Sequence, residues 1–201
     1  MLGEALEGRT APAQLLDLGC GEGYYSARLE QALLDSGIAA ELNGLDISKP
    51  AVRAACQRSR SIRWLVASGA EMPFADASFD AVSLLFSRLM PDELARVLKP
   101  GGLLLIAWPG EDHLIELRRL IYREVRPSGY DPLSQLGDRF RLCRHERVQY
   151  RLSLDSADSI QALLGMTPHS RRMPQASRDA LAALSRLELG LDVNLALCER
   201  R

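Results

Sequence analysis

Asp17-Leu18-Gly19-Cys20-Gly21-Glu22-Gly23-Tyr24-Tyr25 decides how this chain is read. Ahead of it, Leu15-Leu16-Asp17-Leu18 is a short apolar run that ends in glycines, which predicts a buried strand. Behind it, Tyr25, Leu29, Ala32 and Leu33 recur at helical spacing over Tyr24 to Leu34. A glycine-rich turn between a first strand and a first helix is where doubly wound α/β sheets bind nucleotides. Glycines there permit unusual dihedrals and close backbone approach, and the helix N-terminus offers free N–H groups to an anion.

Outward from that turn the alternation continues. Ala39 to Asp46 reads as a second strand, and Ser48 before Lys49-Pro50 as the cap of a helix running to about Arg58. Strands are predicted at Trp64 to Ala67, Asp80 to Leu85 and Leu103 to Ala107. A short helix, Pro91 to Leu98, is stopped by Lys99-Pro100-Gly101-Gly102. A helix is predicted from Asp112 to about Val125, followed by a loosened stretch from Arg126 to His145 where a lid on the acceptor side is expected. Val148 to Leu154 reads as a strand, Ser156 or Asp155 as the cap of a helix ending near Gly165, and Pro174 as the start of another to about Ser185. Leu187, Leu189, Leu191, Val193, Leu195 and Leu197 alternate with polar or small residues, the cleanest strand signal in the chain. The sum is an α/β fold: a doubly wound, mostly parallel seven-stranded sheet with helices on both faces and the last strand antiparallel, in a single domain over residues 1–201.

Composition narrows the class. The 201 residues are 47% hydrophobic and 25% charged, ordinary for a globular domain with a sizeable core. No apolar run approaches the ~20 residues of a membrane span, and the start shows no basic leader; no membrane partner and a cytoplasmic location are expected. Cys20, Cys56, Cys143 and Cys198 form no CxxC pair, so reduced thiols and no metal site are expected. The net charge of −1 is uneven: residues 1–117 hold 10 Lys/Arg and 16 Asp/Glu, whereas 118–201 hold 15 and 10. The second half is either an ordinary solvated surface or an edge that faces a polyanion.

The glycines argue for a particular cofactor. A dinucleotide fingerprint, GxGxxG, would need glycine at position 24, which is Tyr24. The spacing is instead GxGxG with an acid two residues ahead. Asp17 can then accept from the ammonium of a methionyl group, with Gly19, Gly21 and Glu22 backbone flanking its carboxylate. Asp46 ends the second strand, where an acid accepts both hydroxyls of an adenosine ribose. Ile47 would pack on the adenine face. Two acids at adjacent strand ends with glycines between them point to a nucleoside cofactor, and with the methionyl pattern of the turn the expected cofactor is S-adenosyl-L-methionine (SAM). Ala67-Ser68-Gly69-Ala70-Glu71-Met72-Pro73-Phe74, after the third strand, resembles the adenine-contacting segment of SAM-dependent methyltransferases, which implies that Ser68, where that family usually has Asp, or the Gly69 backbone meets the adenine amino group.

These segments, together with Arg96-Val97-Leu98-Lys99-Pro100-Gly101-Gly102, resemble the class I SAM-dependent methyltransferases. Glu93-Leu94-Ala95-Arg96-Val97, Pro109-Gly110-Glu111-Asp112-His113-Leu114-Ile115-Glu116-Leu117, Ile121-Tyr122-Arg123-Glu124-Val125 and Met166-Thr167-Pro168 resemble the 23S rRNA (guanine-N1-)-methyltransferase family. That resemblance implies methyl transfer to N1 of a guanine in rRNA, an RNA partner, and a place for His113 at the methionine end of the cofactor. Members begin with a cysteine-rich zinc ribbon, whereas only sixteen residues precede Asp17 here; a truncated start or a shortened homologue is expected. Two alternatives remain open: methylation of a small molecule, and a SAM-binding homologue inactive without a partner or the missing segment. Removing the guanine N1 proton needs a base or a polarised O6, for which Ser87, Arg88 and His113 are candidates. A flipped guanine would stack on Phe86 or Trp108, although Trp108 also reads as a buried strand-end aromatic. Phe74 reads as core.

Overall fold

The computed structural model describes residues 1–8, 11–167 and 173–201. Its strands are β1 (Ala13–Leu18), β2 (Ala40–Asp46), β3 (Arg63–Val66), β4 (Phe79–Leu85), β5 (Leu98–Pro109), β6 (Phe140–Leu154) and β7 (Leu187–Arg200). Its helices are α1 (Leu2–Leu6), α2 (Tyr24–Asp35), α3 (Lys49–Arg58), α4 (Pro91–Val97), α5 (Ile115–Ile121), α6 (Pro132–Leu136), α7 (Ala157–Met166) and α8 (Gln175–Ala182). One sheet of order β3-β2-β1-β4-β5-β7-β6 holds all seven strands. β1 pairs in parallel with β2 and β4, β2 with β3, and β4 with β5. The chain thus winds outward to β3 and then returns past β1 to β4, which makes a switch point beside β1. Along β6 and β7 the partners run in opposite senses: Arg141 pairs with Glu199, Arg147 with Asp192 and Arg151 with Glu188. The last strand is antiparallel, as its sequence predicted.

The residues group into two compact units. The first comprises Met1–Trp108, Asp131–Glu146 and Leu195–Arg201. Here β1 alternates strictly: Leu16 and Leu18 join a core with Leu45, Val82, Leu84, Leu94 and Leu104, while Ala13 and Leu15 join another with Leu2, Leu6, Leu33, Leu42 and Leu197. A strand apolar on both faces has to be covered on both, as a parallel sheet is. The Lys99-Pro100-Gly101-Gly102 cluster lies inside β5 rather than before it. Pairing jumps from Phe79↔Leu98 to Ala81↔Leu103, so these four residues loop out of register with Gly101 at φ +72°.

The second unit comprises Pro109–Tyr130 and Arg147–Asn194. Its core gathers Leu117 and Ile121 of α5, Ile160 and Leu164 of α7, Leu181 of α8 and Leu189 of β7. The helix expected to reach Val125 stops at Ile121, where Tyr122 turns extended (φ −110°, ψ 137°). Arg118 ties down the chain beyond by donating to the Arg126 carbonyl, and Pro127 disfavours a helical Arg126. The stretch expected to be loose, 126–145, contains α6, capped by Asp131, and the first part of β6. β6 escapes periodicity because it is a nearly all-exposed, arginine-rich edge. Of Met166-Thr167-Pro168, Pro168 lies outside the described residues.

Candidate cofactor site

Asp17 faces inward from β1 and is only 4% exposed. Ser83 of β4 donates to its Oδ1 at 2.8 Å and Ser26 of α2 to its Oδ2 at 2.5 Å. Burial raises its pKa above the ordinary aspartate value, and the two hydroxyls oppose the shift. The carboxylate therefore braces β1 against β4 and α2 from behind the turn, and each oxygen keeps one further lone pair.

The three glycines that follow all have positive φ: +77°, +54° and +73° at Gly19, Gly21 and Gly23. They are not equivalent. A Cβ at Gly19 would collide with Ser87, and one at Gly23 would lie 2.5 Å from the Trp64 ring. A Cβ at Gly21 would meet nothing within 4 Å, so that backbone borders open space. The turn is fixed to the sheet where Gly19 N and Cys20 N donate to the Leu45 carbonyl at 2.8 and 3.1 Å.

Asp46, at the end of β2, closes the arrangement. Its Oδ2 accepts from Gly21 N at 2.9 Å and its Oδ1 from Ser48 N at 2.8 Å. Those bonds orient the carboxylate and leave one lone pair on each oxygen, a spacing suited to vicinal hydroxyls. Ile47 beside it is 75% exposed, a bare apolar face next to a pair of acceptors. Glu22 is also exposed, and its carbonyl accepts from Arg58 Nε at 3.0 Å. Asp17, Gly19, Gly21, Glu22, Asp46 and Ile47 thus surround one turn. Gly69 is linked to the β1 end because its missing Cβ admits Leu18 and Met90. Ser68 is exposed and its hydroxyl accepts from Ala70 N at 3.2 Å. An open glycine, an oriented acid and an exposed apolar face fit a nucleoside, so these residues suit the adenosine half of SAM.

The role of Glu93 and Arg96 is illegible in the sequence because their partners are remote. Glu93 and Arg96 of α4 clamp the segment after β3. Glu93 accepts from Met72 N at 2.8 Å, while Arg96 donates to the Met72 and Phe74 carbonyls. The Arg96 guanidinium holds the Glu93 carboxyl down at about 2. Phe74 packs edge-on against Phe79, as core. Phe86, after β4, has φ +55°, a conformation that side chains rarely adopt, and is 47% exposed. Ser87 abuts Gly19, and Arg88 is exposed. Trp108 is buried and stacks on His145, with rings 5.5 Å apart and 7° from parallel, so one face is covered by a side chain.

His113 belongs to the second unit. Its Nδ1 lies 2.9 Å from the Asp192 carbonyl, and burial lowers its pKa below the ordinary histidine value. The surrounding motif is a zipper onto β7: Leu114 N donates to the Gly190 carbonyl, and Glu116 accepts from Gly190 N, both at 2.8 Å. Asp192, 2% exposed, accepts from Asp112 N and from Arg147 Nε and Nη2. The Asp192 carboxylate also fills the space where a Cβ on Gly110 would stand. The only sign of Asp192 in the sequence is an acid at a polar position of the alternating strand.

Among known proteins, the family described as "Methyltransferase domain" matches residues 15–102. A 23S rRNA (guanine(748)-N(1))-methyltransferase of Streptomyces fradiae is 33% identical over 196 residues, covering 95% of this chain and 68% of that one. A Bacillus subtilis protein, YxjB, provisionally named a 23S rRNA (guanine-N(1)-)-methyltransferase, is 32% identical over 187 residues, 91% of this chain and 65% of its own. The chain thus spans about two thirds of the length of these relatives. Shorter stretches also match methyltransferases named for other acceptors, demethylmenaquinone among them. The crystal structure of the YcgJ protein from Bacillus subtilis superposes with a TM-score of 0.64 at 20% identity, covering 100% of this chain and 96% of that one. The fold, the glycine turn and the two long matches together make this chain a class I methyltransferase-fold protein that belongs to the 23S rRNA (guanine-N1-)-methyltransferase family.

Proposed function

We propose that the protein is a cytoplasmic SAM-dependent methyltransferase that methylates N1 of a guanine in rRNA. The observation that carries this reading is the extent of the match. The general methyltransferase pattern ends at residue 102, yet similarity to the guanine-N1 relatives continues over 91–95% of the chain. The second unit, which carries the His113-Leu114-Ile115-Glu116-Leu117 zipper, is therefore shared with proteins named for that acceptor.

Bound SAM supplies a methyl group on a sulfonium, already activated for in-line displacement. The residues of the chain hold and align it. Asp46, oriented by Gly21 and Ser48, accepts the two ribose hydroxyls, and Ile47 covers one adenine face. Ser68 and Gly69 border the adenine edge, held by the Glu93–Arg96 clamp on the next few residues. The Gly19, Gly21 and Glu22 backbone lines the amino-acid end, and Asp17 acts on that end through the turn it braces. The bare apolar surface of Ile47 and the open side of Gly21 support this assignment. Incubation with radiolabelled SAM and deproteinised rRNA tests it. Label in 1-methylguanosine supports the reading; SAM binding with no label in RNA refutes it, and label moved to a small-molecule acceptor would replace it.

A further inference from the structure

Seven of the arginines after residue 118, among them all four of β6, are engaged with acids. Arg126 pairs with Glu124, Arg139 with Asp92, Arg141 with Glu199, Arg144 with Glu4 and Glu146, Arg147 with Asp112 and Asp192, Arg151 with Glu116 and Glu188, and Arg186 with Asp155 and Glu188. A paired guanidinium offers a phosphate little, because its partner acid repels the same anion.

The first unit holds cations of another kind. From Ile47 to Ala70 the chain has Lys49, Arg53, Arg58, Arg60 and Arg63 and no acidic residue. All five are exposed, on the outer side of α3 and on the turn after it. Only Arg63 has an acid within ion-pair range, Glu41 at 3.9 Å; among the described residues Lys49, Arg53, Arg58 and Arg60 enter no ion pair. The nearby acid Glu30 accepts instead from the Ser59 hydroxyl. Beside these cations stand two exposed aromatics. Arg58 lies 5.6 Å over the Tyr24 ring, and Tyr24 meets Tyr25 edge-on at 5.3 Å. Tyr24 and Tyr25 are 54% and 52% exposed. A row of unneutralised cations flanking exposed rings is the pattern that holds single-stranded nucleic acid, with phosphates on the cations and bases on the rings.

We infer that α3, the turn through Arg63, and Tyr24 and Tyr25 form an RNA-binding surface that grips the phosphodiester backbone of the acceptor. The inference rests on the RNA reading of the function and names where that RNA is held. Ser48, which caps α3, and Asp46 are two residues apart, so the surface adjoins the proposed ribose site. It engages backbone and stacked bases, so it gives affinity rather than choice of guanine.

The test is binding of fluorescein-labelled oligouridylate to the full chain by anisotropy across a salt series. Each phosphate contact contributes about 0.7 to the salt slope, or about fivefold in affinity at about 0.1 M salt. Arg53→Gln with Arg60→Gln, both exposed and unpaired, should weaken binding about 25-fold and lower the slope by about 1.4. Arg151→Gln, which removes an acid-paired arginine, should stay within about twofold. The exposed Cys56 of α3 gives a readout that needs no variant: RNA should slow its alkylation and leave that of the exposed Cys143 unchanged. Unchanged affinity and slope in the double variant, or no protection of Cys56, overturns the inference. So does a double variant that loses binding to phosphatidylserine vesicles while keeping RNA, which would make the surface a membrane contact. RNA held by α3 without methyl transfer would refute the guanine reading alone; methyl transfer with the double variant binding normally would refute this surface alone.

Discussion

Replacing Asp46 by alanine separates a ligand-binding acid from a merely structural one. In the structure its oxygens orient two backbone N–H groups, of Gly21 and Ser48, at 2.9 and 2.8 Å. Both groups lie at a half-exposed strand end, so water can replace the lost acceptor, and the fold should lose about 1–2 kcal/mol. For a chain of this length that is a fall of about 3–6 °C in Tm. Ligand binding should suffer more. Two charge-assisted bonds to ribose hydroxyls at about 1.5 kcal/mol each sum to about 3 kcal/mol, or about 150-fold in Kd. Asp46→Asn keeps one acceptor oxygen and should lose about tenfold. Titration calorimetry with SAM or S-adenosylhomocysteine, beside a thermal melt, reads both quantities. If Asp46→Ala binds within about threefold of wild type while melting as a folded protein, the ribose assignment is wrong.

Four further outcomes follow from the geometry. Gly19→Ala adds a left-handed penalty of about 1–2 kcal/mol to a collision with Ser87; adding Ser87→Gly should recover only the collision, as read by urea unfolding. Glu93 sits at about 2 in the folded chain against 4.5 for a free carboxyl, so its clamp stabilises the fold fully above pH 4.5 and is lost as pH falls toward 2. With part of that shift screened at a partly exposed site, about 1–2 kcal/mol should disappear over that window, and Glu93→Gln should flatten the curve; equal slopes for both proteins would contradict the clamp. His113 is depressed by burial, so its imidazole should titrate below pH 6.5 by NMR, and its share of stability is present above 6.5 and lost as pH falls through the folded value; a midpoint at or above 6.5 would be wrong for this packing. Cys20 and Cys198 are buried with thiols pushed up to about 12 and 11, so mass spectrometry after brief alkylation should find adducts at Cys56 and Cys143 alone.

Legibility in the sequence followed locality. The glycine turn, the Ser48 cap with Pro50, the apolar run of β1 and the alternation of β7 are local facts, and they led directly to a doubly wound sheet with a glycine turn after β1. Asp46 was legible because a strand end before a capped helix marks a fixed place beside that turn. What was hidden depends on pairs far apart in the chain. Ser26 and Ser83 converge on Asp17 from α2 and β4, Asp192 reaches back to the segment after β5, and Ser87 fills the space that Gly19 leaves. Charge misled most. The arginines of β6 stand out in composition, yet their acids on β7 and elsewhere neutralise them, whereas in the smaller acid-free run around α3 only Arg63 has an acid partner. Edge strand β6 itself was half missed because nearly every position is exposed, and a strand with no buried face has no period of two to read.

The central claim is methyl transfer to a guanine, and one measurement addresses it directly. The full chain is incubated with methyl-labelled SAM and deproteinised 23S rRNA, the RNA is digested to nucleosides, and these are resolved by mass spectrometry. The account predicts label in 1-methylguanosine, strongly reduced in Asp46→Ala at SAM concentrations near the wild-type Kd. Label in any other nucleoside, or none in RNA from a protein that still binds SAM, would contradict it.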